Sequence, residues 1–361
     1  MERIWLKQYP PEVPASISTE SIPSLSHLID EALAEFANQT AYISMGKSIS
    51  YRELNDMAEA FAGWLQSLGL GRGDRVALMM PNLLQYPIAL VGTLRAGCVV
   101  VNCNPLYTAR ELEHQLVDSG ATTIVIVENF AHTLEKVIHK TAVRNVVVTS
   151  LGEMLGGAKG FIVNLVVRHV KKLVPAYNLP QAISFQNALN LGRGQKLNRP
   201  SLGPEDIAFL QYTGGTTGVS KGAILTHANI SANVLQAEAW IKPVVRRGEE
   251  FILTALPLYH IFAFTVNLLG FYYVGARNIL VPSPRPPSNL KRAFENYKVT
   301  WLTGVNTLFN ALLNERWFTD RPPKHLVASA AGGMALHESV ATKWQEVTGT
   351  PIVEGYGLTE S

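Results

Sequence analysis

The sequence predicts an α/β fold of two doubly wound sheet subdomains, and three observations carry that reading. Short runs at 75–80, 98–102, 122–127 and 145–149 are apolar throughout, the mark of strands buried on both faces of a parallel sheet. Segments of helical period separate them, two opening on capping boxes, Ser50 to Glu53 and Thr108 to Glu111, whose hydroxyl and carboxylate satisfy the first free N–H groups. A run of glycines, hydroxyls and one lysine directly follows the apolar stretch 207–211, where doubly wound sheets place ligands.

In chain order, 22–36 reads as an amphipathic helix, 40–45 as a short strand, and the first capping box leads a helix to about residue 68. After the strand 75–80, stopped by Pro81, come a helix at 83–96, the strand 98–102 and, from the second capping box, a helix to residue 118. The strand 122–127, a helix at 131–142 and the strand 145–149 follow. The pattern changes at 159–174, where Asn164, Arg168, Lys171 and Lys172 share one side of a helix and Phe161, Ile162, Leu165, Val166 and Leu173 take other faces. Such a basic amphipathic helix either packs on the sheet with a solvated basic edge or lies on an anionic bilayer. Residues 175–204 read as a loop-rich connection, which divides the chain into a first subdomain, 1–200, and a second, 201–361. The second alternates again: helix from Thr226 to 241, strand 251–255, helix 261–273, strand 278–282, helix 288–297, strand 299–303, helix 305–314 and strand 325–330.

Composition narrows the function classes. Hydrophobic residues make up 47% of 361 and charged residues 16%, enough apolar content for a large core and an apolar cavity or membrane contact. A net charge of +3 with no long basic run excludes a nucleic-acid partner. Cys98 and Cys103 form no metal or disulfide pattern and read as buried thiols. Residues 1–14 hold Glu2, Lys7, Glu12 and three prolines, unlike a signal peptide, and no run reaches the roughly 20 apolar residues of a membrane span. The expectation is a cytoplasmic protein, peripherally attached to a membrane.

Four stretches carry chemistry. Tyr212-Thr213-Gly214-Gly215-Thr216-Thr217-Gly218-Val219-Ser220-Lys221-Gly222 has the makings of a polyphosphate cradle, with glycine for close turns, hydroxyls as neutral donors and Lys221 as the charge. It is no Walker A loop, since Ser220 precedes the lysine and Gly222 follows it. A flexible surface loop is the plain alternative. Leu256 to Phe264 places His260 among aromatics just past a strand, although a lone histidine is more often structural. Ser329 to Met334 offers Gly332 and Gly333, where a flat ring can lie against backbone or a tight turn can simply form. Glu354-Gly355-Tyr356-Gly357-Leu358-Thr359-Glu360 combines an aromatic, a hydroxyl and a carboxylate.

These four stretches, in this order, resemble the motifs of the adenylate-forming enzymes, the last matching that family's Tyr-Gly-x-Thr-Glu signature in full. Residues 75–119, with Met80 to Pro87 and Asn104 to Thr108, together with 255–264 and 303–314, look like bacterial long-chain fatty acyl-CoA synthetases, so the likeness covers essentially the whole chain. Ala335 stands where the family often has proline, which bears on the stiffness of that turn. The resemblance implies the large N-terminal domain of that fold and a reaction in two halves: a long-chain fatty acid attacks ATP to give acyl-adenylate and pyrophosphate, and coenzyme A then displaces AMP. It implies that Lys221 and the Gly214 to Gly218 amides hold the β- and γ-phosphates. Gly332, Gly333 and Tyr356 would line the adenine, and Thr359 the α-phosphate. Thr216 and Glu360 would hold Mg²⁺, a cation that prefers oxygen ligands. His260 would border the reacting carboxyl group, Phe264 would gate the acyl site, and Leu302, Gly304, Val305 and Leu308 would line the acyl tunnel.

Family members continue past the Tyr-Gly-x-Thr-Glu motif into the rest of the large domain and a small mobile one. The expectation is therefore an incomplete synthetase. The alternatives are a catalytically incompetent ATP- or acyl-binding module and a ligase for another acid, such as an aryl acid. The resemblance also implies contact with the inner-membrane surface and leaves a homodimer open.

Overall fold

The computed structural model describes residues 3–20, 22–213 and 219–360. Its strands are β1 (Thr40–Ser44), β2 (Lys47–Ser50), β3 (Arg75–Met79), β4 (Val99–Asn102), β5 (Thr123–Val127), β6 (Asn145–Thr149) and β7 (Ile183–Ser184), followed by β8 (Ile207–Thr213), β9 (Lys221–Thr226), β10 (Phe251–Thr254), β11 (Arg277–Leu280), β12 (Trp301–Gly304), β13 (Ala328–Ala331) and β14 (Ile352–Glu354). One sheet runs β7-β6-β5-β3-β4-β8-β9 and the other β14-β13-β12-β10-β11-β1-β2. Pairing is parallel except at one edge of each sheet, where β9 and β2 return antiparallel.

The all-apolar strands behave as their composition requires. In the first sheet Val76, Leu78, Val100 and Val125 enter one core while Ala77, Met79, Val101 and Ile124 enter another, so both faces are covered. The largest core also takes Tyr42 and Leu280 from the second sheet, so the two sheets share it. Helices Leu25–Phe36, Tyr51–Ser67 and Gln85–Arg95 lie within that core, and every residue of the last is buried. Arg95 is carried inside with them, and its guanidinium reaches Asp30 at 2.8 Å. Both expected capping boxes form.

Four expectations are corrected. The sheets do not divide at residue 200: β1 and β2 join the second sheet through β11, and β8 and β9 join the first through β4. Parallel pairing in register, Val100 with Phe209, decides this over chain order. The glycine stretch joins two antiparallel strands, since 221–226 is β9 and the helix His227–Ile241 begins only after it. The helix expected at 131–142 is short, Ala131–Glu135, followed by a separate turn Ile138–Lys140. The loop-rich 175–204 contains β7 and the helix Phe185–Gly192, capped by Ser184.

The insertion at 159–174 keeps Arg168, Lys171 and Lys172 exposed, as a solvated basic edge would, but leaves most of its large apolar residues exposed as well. It runs as the helix Gly157–Leu165 and continues through a wide π-helical turn, Val166–Val170. Asn164 Oδ1 accepts from Gly152 N at 2.8 Å, and Arg168 donates to Glu128 Oε2 at 2.6 Å. The carboxylate of Glu128 is almost entirely buried, and a buried charge needs a partner, so the exposed Arg168 side chain turns its guanidinium to it. Phe161, Ile162, Leu165, Val170 and Leu173 are left exposed beside Lys171 and Lys172. Among the described residues no helix is long and apolar enough to cross a membrane.

His227 ties the N-terminal helix to the body, its Nδ1 accepting from Leu25 N at 3.2 Å. Burial pushes its imidazole down to about 4 from an ordinary 6.5, against the smaller opposing pull of Asp206. Below the ordinary value the unfolded chain binds a proton that the folded chain refuses. Stability from this group is therefore complete above about pH 6.5 and is lost as pH falls through about 4. His227→Gln keeps the acceptor without the titration. Urea unfolding of the variant and the parent should show the parent losing about 2 kcal/mol more between neutral pH and about pH 5. Parallel pH profiles for the two proteins would sink this assignment.

Candidate active site

The parallel strands of both sheets end at segments that carry the expected site residues, as ligand sites of such sheets do. β8 leads into the glycine stretch. Tyr212 is buried at its end and donates to Asp118 Oδ2 at 2.6 Å; burial first, then this carboxylate, raises the phenol above its ordinary value. Thr213 pairs with Lys221 across the hairpin. Gly214, Gly215, Thr216, Thr217 and Gly218 lie outside the described residues. The neck beneath them is closed by Ser220, whose hydroxyl donates to Thr213 O at 2.6 Å and whose carbonyl meets His114 Nε2 at 2.7 Å. Val219 and Lys221 are exposed, and Gly222 pairs with Tyr212 on β9.

β10 leads into the segment carrying His260. The imidazole is accessible, yet partial burial lowers it below its ordinary value, and its Nδ1 accepts from Phe262 N at 3.4 Å. Beyond it, the helix expected at 261–273 is interrupted by a wide turn, Phe264–Gly270. Asn267 accounts for the interruption. Fully buried, it donates to Thr254 Oγ1 at 2.8 Å, accepts from Thr303 Oγ1 at 2.9 Å, and its carbonyl accepts from Asn278 Nδ2 at 2.7 Å. Phe264 sits at the start of this turn, fully buried, with its ring edge-on to Phe209 of β8 at 4.6 Å. In this conformation it walls the interior and leaves no opening at its own position.

The remaining motifs converge on one another. Gly332 N donates to Gly304 O at 3.3 Å, and Gly355 N donates to Ala331 O at 2.8 Å. A Cβ at Gly332 would come 3.1 Å from the Phe262 ring and 3.3 Å from Gly355 O, so three segments approach one another closely there and a side chain would press them apart by a few tenths of an ångström. Gly333 takes the left-handed conformation, φ +77°, beside Val305. Glu354 Oε2 accepts from Leu336 N at 3.2 Å, which ties the last motif to the turn after β13. Gly355, Tyr356, Gly357 and Glu360 are exposed, Tyr356 to 94%, and Thr359 is half-buried. Among the acyl candidates, Leu302 and Gly304 are buried on β12, while Val305 and Leu308 are half-buried just past it. Among the described residues no side-chain hydrogen bond or ion pair joins Lys221, Thr359 or Glu360 to the rest of the site, and no group of three or more His, Cys, Asp or Glu could by itself hold a metal.

Sequence reasoning missed the residues that hold these segments: Asn82, Tyr86, Asn102, His114, Asp118 and Gln211. The one available signal was a polar residue at the end of an apolar strand, as at Asn102 and Gln211, or just after the proline that stops one, as at Asn82.

With that geometry in view, the chain matches the family model described as AMP-binding enzyme over residues 29–361. It is 54% identical over its whole length to the long-chain-fatty-acid–CoA ligase of Yersinia pestis and 51% identical to that of Haemophilus influenzae. It spans 64% and 65% of those two proteins. Among solved structures it resembles a long-chain-fatty-acid–CoA ligase from Archaeoglobus fulgidus, at 25% identity and TM-score 0.78, covering 98% of this chain and 67% of that one. An anthranilate–CoA ligase in complex with anthranoyl-AMP shares the fold at TM-score 0.82 and 22% identity, covering 95% of this chain and 62% of that one.

Proposed function

We propose, from the premise that this chain belongs to the AMP-binding enzyme family, that its residues carry the large-domain part of an AMP-forming ligase joining long-chain fatty acids to coenzyme A. The observation that carries the reading is the convergence of the His260 segment, Gly332 and Gly355 at the strand ends, in a chain 54% identical throughout to a protein of that name. In the first half-reaction a carboxylate oxygen bonds to the α-phosphorus of ATP as the bond to the bridging oxygen of pyrophosphate breaks. In the second, the thiol sulfur of coenzyme A bonds to the acyl carbon, AMP leaves with the former carboxylate oxygen, and the thiol proton is released. A carboxylate is already a nucleophile at neutral pH, so the protein positions and neutralises. Lys221 provides positive charge for the departing phosphates. His260, held neutral by partial burial, turns its Nδ1 to Phe262 N and offers Nε2–H to the acid.

The residues present fit Mg²⁺. This cation takes one or two carboxylates and completes its shell with phosphate oxygens and water, and Glu360 is an exposed single carboxylate in the turn past β14. Glu360, with Thr216, would hold it, and when bound it offsets the negative charge of the phosphates. Leu302, Val305, Leu308 and the Phe264 wall are the acyl side. Each methylene they bury contributes roughly 0.8 kcal/mol, which favours long chains.

The reading extends to a peripheral place on the inner-membrane surface, where such acids partition. Its support is the outward apolar stripe of Phe161, Ile162, Leu165, Val170 and Leu173 beside Lys171 and Lys172. Gly160 seats the helix against Gly152, where a Cβ would come within 2.4 Å of a backbone oxygen, so the stripe is held on a fixed support.

In the complete enzyme, Lys221→Ala or Glu360→Ala should lower palmitate-dependent ATP–pyrophosphate exchange roughly 10²-fold. Undiminished exchange removes the assigned roles, and a preference for an aromatic acid over palmitate removes the substrate class. Phe264→Leu should change the chain-length profile or raise adenylate hydrolysis; an unchanged profile with no added hydrolysis counts against the gate. Leu165→Asp combined with Phe161→Asp should reduce flotation with phosphatidylglycerol vesicles about 10-fold while leaving exchange with a short soluble acid intact. If the pair instead alters oligomeric state and not flotation, the stripe is a contact between copies.

A further inference from the structure

We infer that Asn82 and Gln211 are positioning residues that hold the backbone carrying His260 in register with the strand leading into the glycine stretch. This rests on the ligase reading for its catalytic meaning and on geometry alone for its structural content. Thr254 O still accepts from Val281 N at 3.1 Å, but past Thr254 the chain leaves the second sheet, and there side chains from the loop after β3 and from β8 meet its backbone groups. Asn82 Nδ2 donates to Thr254 O at 3.1 Å and to Leu256 O at 2.9 Å, and its Oδ1 accepts from Leu258 N at 2.9 Å. One buried amide therefore meets three backbone groups spaced two residues apart, and the two past Thr254 lie beyond the end of the ladder.

Gln211 completes the hold one residue before the site. Its Nε2 donates to Tyr259 O at 2.7 Å, next to His260, and it precedes Tyr212 and Thr213 at the mouth of the glycine stretch. The orientation of its amide is itself determined, because Asn102 Nδ2 donates to Gln211 Oε1 at 2.9 Å. Asn102 is in turn fixed by Gln115 Nε2, donating to its carbonyl at 2.8 Å, and by the Tyr86 hydroxyl, which lies 2.6 Å from Asn102 Oδ1 and 3.0 Å from Leu258 O. The acyl-side histidine and the phosphate-side strand thus share one buried hydrogen-bond path, and both side chains in question are buried from solvent. Misplacement by about 1 Å is enough to cost on the order of 10²-fold in rate, so the path bears on the alignment of carboxylate and α-phosphorus.

The test uses Gln211→Met and Asn82→Ser in the complete enzyme, two variants so that failure of one to fold still leaves the other. Active sites are counted by titration, and hydrogen exchange is followed over residues 255–264. The expected result is a 10- to 100-fold fall in kcat per titrated site for pyrophosphate exchange, KM for ATP and palmitate within about threefold of the parent, and faster amide exchange confined to 255–264. A merely structural role would reduce the titrated fraction and leave kcat per site unchanged, which overturns the inference, as does unaltered amide exchange in that segment. If the parent shows no exchange with palmitate, the substrate reading fails, and the amide exchange still decides whether this path holds the His260 backbone.

Discussion

The structure depends on how two parallel sheets are joined. Each is apolar on both faces, and the core they share is the largest apolar cluster among the described residues, but apolar contact is not directional and cannot align one sheet's strand ends with the other's. Alignment comes from buried amides and hydroxyls at the seam, where a missed partner costs the full desolvation of the group left behind. Asn82 from the loop after β3, Tyr86 from the helix Gln85–Arg95 and Gln211 from β8 reach the backbone that leaves β10, and Asn267 ties β10, β11 and β12 together from inside an interrupted helix. Apart from Gln115 Oε1, which has no partner among the described residues, this network is paired, and a paired buried network rigidifies. The site therefore sits on a seam that is stiff because its polar groups have few alternative partners.

Much of the fold was legible because its signals are local. Apolar runs marked the strands β3 to β6, and Ser50, Glu53, Thr108 and Glu111 marked two helix starts to the residue. Sheet membership was not legible, because β1 and β8 read like their neighbours in sequence and differ only in which distant strand they pair with. The strand β9 was hidden by its pattern: as an antiparallel edge it exposes Ile224 and buries Leu225, and a six-residue run beside a helix start carries too little periodicity to separate the two. The motif residues were visible through chemistry and resemblance. The amides that position them were not, since Asn82 and Gln211 have no periodicity and their partners are 172 and 48 residues away.

The same logic of buried partners explains the one element whose orientation the sequence misrepresented. A helical wheel sorts 159–174 by polarity and assumes that polar means solvent. Glu128, at the end of β5, breaks that assumption by presenting a buried carboxylate that only a cation can satisfy, and Arg168 is the residue that reaches it. Asn164, one turn earlier, accepts from Gly152 N, and Phe161, Ile162 and Leu165 are left exposed. Five large apolar side chains in one exposed stripe are costly in water unless something covers them. The ion pair that anchors the helix thus leaves this apolar stripe exposed beside Lys171 and Lys172.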